Sequence, residues 1–248
     1  VRHAAIPLAV LAACLCGYAA PPAALAQPAT GASIHPSFLP NRLGASTAVT
    51  LAIGFTGGEE GVPAPLRQAV LRLPAGLRID LRGVSVCAPA RLRLRGASGC
   101  SSASLVGRGH GLLQARTGSL TSPEEATMWV FRGPNRGGLP ALEILSQGAT
   151  PLDEHFLSTA VVEPDSAPYG LKLTMQVPLI PTLVLEPDAS FKSLSLTLGG
   201  VGRGPRAHAA ARVIAVPGAC PTGGFPFAAG FTFADGSTTS ATAGISCP

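Results

Sequence analysis

Asp153-Glu154-His155 is the densest run of titratable groups in the chain. On a strand, residues two apart share a face, so Asp153 and His155 would point together and suit a cation or a His–Asp pair. Asp153, Glu154 and His155 are the candidate groups if the chain is an extracellular hydrolase. No third ligand stands nearby, and the run reads more simply as a loop of solvated charges after Pro151. Neither G-x-S-x-G nor H-E-x-x-H occurs. Gly107-Arg108-Gly109-His110-Gly111 lacks the spacing of a phosphate loop and reads as a glycine-rich strand or bulge. Glu59-Glu60 and Glu124-Glu125 read as turn charges. His35, His110 and His208 have no partner visible in sequence and read as surface or hydrogen-bond-satisfied histidines. Trp129 is the single tryptophan, in an apolar run that points it at the core. So few rings disfavour a stacking platform for sugars or for single-stranded nucleic acid, and no nucleic-acid partner is expected. No cofactor is implied.

The basic residues suggest a different chemistry. All but two of the 18 are arginine, the exceptions being Lys172 and Lys192. Arg72, Arg78, Arg82, Arg91, Arg93 and Arg95 crowd one stretch, with Arg67 just before them and Asp80 as the only acid among them. Such a field suits an anionic cell-wall polymer. Solvated strand faces account for the same pattern.

The cysteines bear on compartment. Cys14 and Cys16 fall in a leading apolar stretch, which leaves Cys87, Cys100, Cys220 and Cys247. Four cysteines allow three pairings, of which sequence neighbours are the simplest: Cys87–Cys100 and Cys220–Cys247. A zinc site would need C-x-x-C or paired histidines, and neither is present. Arg2, the uncharged run from Ala4 and the Ala24-Leu25-Ala26 end match a secretory signal peptide over 1–26. Val1 then reads as an initiator codon translated literally. The alternative is a lipid anchor at Cys14, after Leu11-Ala12-Ala13. No later stretch has the length of apolar sequence that a transmembrane helix requires.

The elements that position these residues are short. Gly 30 and Pro 24, with 46% apolar and only 12% charged residues, exclude both a coiled coil and a charge-driven disordered chain. An apolar period of two recurs, as in Phe191 to Leu198, where leucines alternate with Ser and Thr. The expected strands are 47–55, 68–73, 77–81, 107–115, 126–132, 141–146, 157–163, 171–177, 191–198, 210–216, 225–233 and 237–246. Pro89 to Arg95 reads as one short helix or an alternating strand. Asp235-Gly236 reads as a two-residue hairpin turn, which places Cys247 opposite Gly224. The fold class is therefore all-β: a β-sandwich or jelly-roll-like double sheet with at most one short helix. The expected layout is an extended leading segment at 27–44 and one domain at 45–248, with 133–140 as the point where a split would fall.

Leu73-Pro74-Ala75-Gly76-Leu77, Cys87, Cys100-Ser101-Ser102-Ala103-Ser104-Leu105-Val106-Gly107-Arg108-Gly109, Cys220-Pro221, Phe233-Ala234-Asp235-Gly236 and Cys247 together resemble a family of uncharacterised secreted actinobacterial proteins. Its pattern is LPxGL … C … CPxxSxVGxG … C … FxDG … C. The resemblance spans most of the chain after residue 26 and departs at Ser101, where the family has Pro. It implies secretion and supports pairing of sequence neighbours, but implies no activity. The function expected from sequence is a secreted, non-enzymatic, envelope-associated β-sandwich that binds anionic wall polymers. The alternative is an extracellular hydrolase on a jelly-roll scaffold. Nothing in the sequence signals an oligomeric state.

Overall fold

The computed structural model describes residues 30–58, 61–117, 120–149, 154–182, 187–200 and 212–248. Strand accounts for 58% of them, more than twice the usual share, which makes the fold all-β. The strands are β1 (Gly31–Leu39), β2 (Ser46–Thr56), β3 (Leu66–Pro74), β4 (Arg78–Ile79), β5 (Leu105–Thr117), β6 (Leu120–Arg132), β7 (Ala141–Gly148), β8 (His155–Pro164), β9 (Tyr169–Gln176), β10 (Ser190–Leu198), β11 (Ile214–Ala215), β12 (Phe225–Phe233) and β13 (Thr238–Ile245). The one α-helix among the described residues is α1 (Pro89–Arg95).

All pairings are antiparallel. Hydrogen-bonded neighbours run β13-β12-β3-β9-β8-β7-β6-β5-β10-β2-β11-β4, with β1 also on β2. The middle of this order, β5 to β9, is a meander in which each strand pairs with the next in sequence. The hydrogen-bonded path is open, and the sheet folds over in a sandwich-like arrangement, so that its halves share one apolar core. Phe55 of β2 meets Phe231 of β12 edge-on across that core, with centroids 4.8 Å apart.

Inward alternation explains why each strand lies where it does. β12 buries Phe225, Phe227, Phe231 and Phe233 on one face. Residues 31–39, part of the expected leading segment, form β1 and pair with β2 from Gly31↔Thr56 to Leu39↔Ala48. Their apolar signal is sparse, since Ile34 and Phe38 are the deeply buried residues of β1. The 133–140 stretch is the β6–β7 hairpin loop, bounded by the Arg132↔Leu142 pair. The expected strand at 77–81 shrinks to Arg78–Ile79, because turns at Pro74–Leu77 and Asp80–Arg82 bracket it.

The last hairpin departs from the two-residue turn by one residue. The Gly236 N–H donates to the Phe233 carbonyl at 3.1 Å and the Phe233 N–H to the Ser237 carbonyl at 3.0 Å, with Gly236 at φ +82°. This is a three-residue loop with Gly in the left-handed position. The resulting register, Phe231↔Thr239 to Phe225↔Ile245, puts Ala241, Ala243 and Ile245 beside the phenylalanines. The two-residue turn would have faced Ser and Thr there. A turn closed by the Gly224 N–H on the Pro221 carbonyl then brings Cys220 back to Cys247.

α1 starts at Pro89 and ends at Gly96, whose N–H donates to the Leu92 carbonyl. It buries Leu92 in a satellite core with Cys87, Leu105, Phe131 and Leu145 on the outer face of the meander. Trp129 packs into this cluster, not into the main core as its apolar run suggested. The reason is strand parity: Met128 and Val130 take the inward positions of β6.

Candidate functional site: an apolar cavity inside the sheet

Between the halves of the sheet lies an internal cavity of about 70 Å3. On one side Leu194, Leu196 and Leu198 of β10 stand opposite Ile53, Leu51 and Val49 of β2. Leu71, Met175, Phe227 and Phe231 are among the residues that face them from β3, β9 and β12. All 19 lining residues are apolar. One buried water needs roughly 10–15 Å3 of such space and two to four polar partners. The cavity has the space but offers no partner, so water inside it would lose its hydrogen bonds. Its chemistry favours hydrocarbon.

β5 shapes one wall of this space by withholding side chains. Its inward Gly107, Gly109 and Gly111 lie opposite Leu198, Leu196 and Leu194. A Cβ on Gly107 would sit 2.5 Å from the Thr197 carbonyl oxygen and 2.8 Å from Leu198 Cδ2, and one on Gly111 2.9 Å from Met128 Cε. The glycine run is therefore a strand that lets the β10 backbone approach closely and yields its inward volume to neighbouring Leu and Met. Arg108 and His110 alternate with it on the exposed face. The Leu73–Leu77 motif is a turn closed by the Leu77 N–H on the Pro74 carbonyl, with Gly76 at φ +81°, and both of its leucines line the cavity.

Glu124 is not a turn charge. It lies on β6, 3% exposed, and accepts a 2.7 Å hydrogen bond from the Ala149 N–H. With Glu154, Phe156 and Ile180 it borders a second void of about 10 Å3. That is room for about one water and too little for a substrate. The His155 ring is exposed and its Nε2 lies 3.1 Å from the Arg93 carbonyl at the end of α1. Asp153, Glu59-Glu60, His208, Cys14 and the 1–26 segment lie outside the described residues. Among the described residues no three His, Cys, Asp or Glu are placed to hold a metal ion.

The arginines sit on several elements. Arg72 is 3.5 Å from Asp165 and stacks on Tyr169, with its guanidinium carbon 5.7 Å from the ring centroid. Arg82 forks onto Asp80, with Nη2 2.6 Å from Oδ2. Side-chain and backbone hydrogen bonds from Arg82 hold the Asp80 carboxyl down at about 2. Arg78 is exposed on β4. Arg91, Arg93 and Arg95 project from α1 into solvent. The cysteines pair as sequence neighbours, Cys87–Cys100 and Cys220–Cys247, with Cα separations of 5.7 and 6.0 Å.

Two features escaped the sequence reading. The cavity could have been foreseen only by pairing inward leucines with inward glycines across β5 and β10, which requires the register. The other is Glu143, fully buried on the outer face of β7. It accepts a 2.8 Å hydrogen bond from Thr159 and lies 3.6 Å from Arg136. A lone Glu in Ala141-Leu142-Glu143-Ile144-Leu145 was the available signal.

No family model, curated protein or solved structure matches the chain. Two disulfides and the absence of a helix long and apolar enough to cross a membrane, among the described residues, are what the structure contributes on location.

Proposed function

We propose that this is a non-enzymatic binding protein that holds an apolar small molecule inside its sheet and works in an oxidising, extracytoplasmic compartment. The carrying observation is the cavity that has room for several waters and no polar group to bind them. The two disulfides support the compartment. Secretion and membership of the actinobacterial group belong to the same proposal, on the strength of the signal-like start and the turn and cysteine motifs.

The test is titration of the oxidised protein with xenon, an apolar probe of the size this cavity can take, followed by the xenon NMR shift. Saturable binding is expected. Ala160→Leu, which fills the cavity from β8, should weaken it at least tenfold while the protein stays folded. A non-saturable shift, or equal affinity in the variant, would remove the reading.

A second reading is favoured by α1. Arg91, Arg93 and Arg95 are exposed and make no ion pair among the described residues, which suits an anionic wall polymer. Co-sedimentation with cell walls should then fall at high salt and in an Arg91→Gln, Arg93→Gln, Arg95→Gln variant. Retention in both conditions excludes the helix as the contact.

A further inference from the structure

We propose that an open groove on the outer face of the sheet binds an acidic saccharide, with Arg67 on the carboxylate of a uronate unit and a row of amides and hydroxyls on its ring hydroxyls. This goes beyond the cavity reading and does not depend on it.

Thr232 of β12, Gln68 of β3, Gln176 of β9 and Thr159 of β8 are successive register partners, so they form one line across four strands. Their chain neighbours Phe231, Ala69, Val177 and Ala160 are buried in the core, so the line faces outward. Three steps of roughly 4.8 Å make it about 14 Å long, enough for more than one sugar ring. The line lies in a groove of about 610 Å3, within the roughly 300–1,000 Å3 of small-ligand sites. Leu157 in the groove also packs into the satellite core, so α1 stands at that end.

A β-bulge delivers the cation. Phe233 of β12 faces Leu66 and Thr232 faces Gln68, so Arg67 is an extra residue in β3. Strict alternation would put Arg67 on the inward face with Ala69. The bulge instead leaves Leu66 and Ala69 both buried and turns Arg67 out to the groove. Re-aiming a side chain in this way is a recurrent use of bulges beside binding sites. The ladder to β9 survives, since the Val177 N–H donates to the Arg67 carbonyl at 2.8 Å.

The charge and the hydrogen-bonding groups define the ligand. Arg67 makes no ion pair among the described residues, and no acid lines the groove. Glu143, the next position of the line on β7, is buried and takes the Thr159 hydroxyl at 2.8 Å. A guanidinium with no acid beside it suits one carboxylate, which it can hold by two parallel hydrogen bonds. The Gln68 and Gln176 amides and the Thr232 hydroxyl have no side-chain hydrogen bond among the described residues. Each can both donate and accept, as a sugar hydroxyl does. A uronate carries hydroxyls and carboxylate on one rigid ring, whereas a flexible polyol phosphate loses more freedom on binding. An extended peptide would pair with a free strand edge, but these strands are flanked by ladders on both sides. No aromatic side chain lines the groove, so the grip comes from hydrogen bonds and charge and not from stacking.

The experiment is calorimetric titration of the oxidised protein with trimers of glucuronate, galacturonate and mannuronate, their methyl esters, and a glycerol-phosphate oligomer. At least one trimer should bind saturably. Its methyl ester keeps the ring hydroxyls and loses the charge, and should bind roughly 5- to 10-fold more weakly. Arg67→Gln, at an exposed position, should weaken the acid by the same factor, leave the ester unchanged and keep the urea midpoint. Gln68→Ala should weaken acid and ester alike. The Arg91→Gln, Arg93→Gln, Arg95→Gln variant should bind the trimer as before, which separates the groove from α1. No trimer binding, equal affinity for acid and ester, tighter binding of the glycerol-phosphate oligomer, or loss in the α1 variant with none in Arg67→Gln overturns the proposal. Xenon uptake reads the cavity separately and is untouched by any of these results.

Discussion

Phe38 of β1 meets Phe225 of β12 edge-on, with ring centroids 5.6 Å apart, and so joins the first strand to the last hairpin without a backbone hydrogen bond. Phe38 is 6% exposed. Phe38→Ala should cost about 3–5 kcal/mol, the range for large-to-small changes in a core. Urea unfolding measures it. A loss under about 1 kcal/mol would mean that β1 is held by its β2 ladder alone.

Glu143 and Arg136 should be strongly coupled. Arg136→Ala leaves a fully buried carboxylate with Thr159 as its remaining partner, and should cost about 1–3 kcal/mol. Combined with Glu143→Gln, the same change should cost markedly less. A double-mutant cycle with no coupling would show that the 3.6 Å pair contributes nothing.

The Cys87–Cys100 bridge should be visible through Trp129. Both Cys100 and the ring pack on the satellite core. Replacing the two cysteines by serine should cost about 3 kcal/mol on the loop-entropy estimate. It should also shift Trp129 emission to the red, since this is the only tryptophan. Unchanged emission would show that α1 stays docked without its bridge.

Asp80 predicts a feature of the acid limb. Its carboxyl titrates at about 2 in the folded protein, below its usual 3.8. The stabilisation is therefore complete above pH 4 and is lost as pH falls through 2. Glu163 is shifted the same way by hydrogen bonds from Thr174 and Lys172. NMR titration should place the Asp80 midpoint near 2, and Arg82→Ala should return it towards 4. A midpoint near 4 in the unaltered protein would deny the fork onto Arg82.

Gly109→Ala should be costly for its size. The new Cβ would press on the Ser195 carbonyl of β10, a backbone atom with no freedom to turn aside. The expected loss is about 1–3 kcal/mol by overpacking. A neutral result in thermal unfolding would show that β5 and β10 separate readily.

Period-two alternation was enough to place β10, β12 and most other strands, because each buries one face. The same alternation in β13 held the register of the last hairpin: Ala241, Ala243 and Ile245 must share a face with the β12 phenylalanines. Reading the turn from Asp235-Gly236 alone hid it. β1 was illegible because few of its residues are deeply buried. The motifs that suggested a family turn out to be structural. Leu73–Leu77 is a turn, Phe233–Gly236 is a hairpin loop, and the cysteines fasten α1 and the last hairpin. They carry folding information. The cavity arises between residues distant in sequence, with Leu73 and Leu77 of the turn motif among its lining.

β1 and β13 lie side by side although about two hundred residues of chain separate them. During synthesis the first strand is thus made long before its neighbour exists. The phenylalanines of the half-built sheet stay wet until the last hairpin arrives. Closure is then among the most non-local events a chain of this length can undergo, which makes folding slow and the unfinished molecule prone to aggregate. A ribosome-stalled chain lacking its final hairpin should need a chaperone that the finished protein does not.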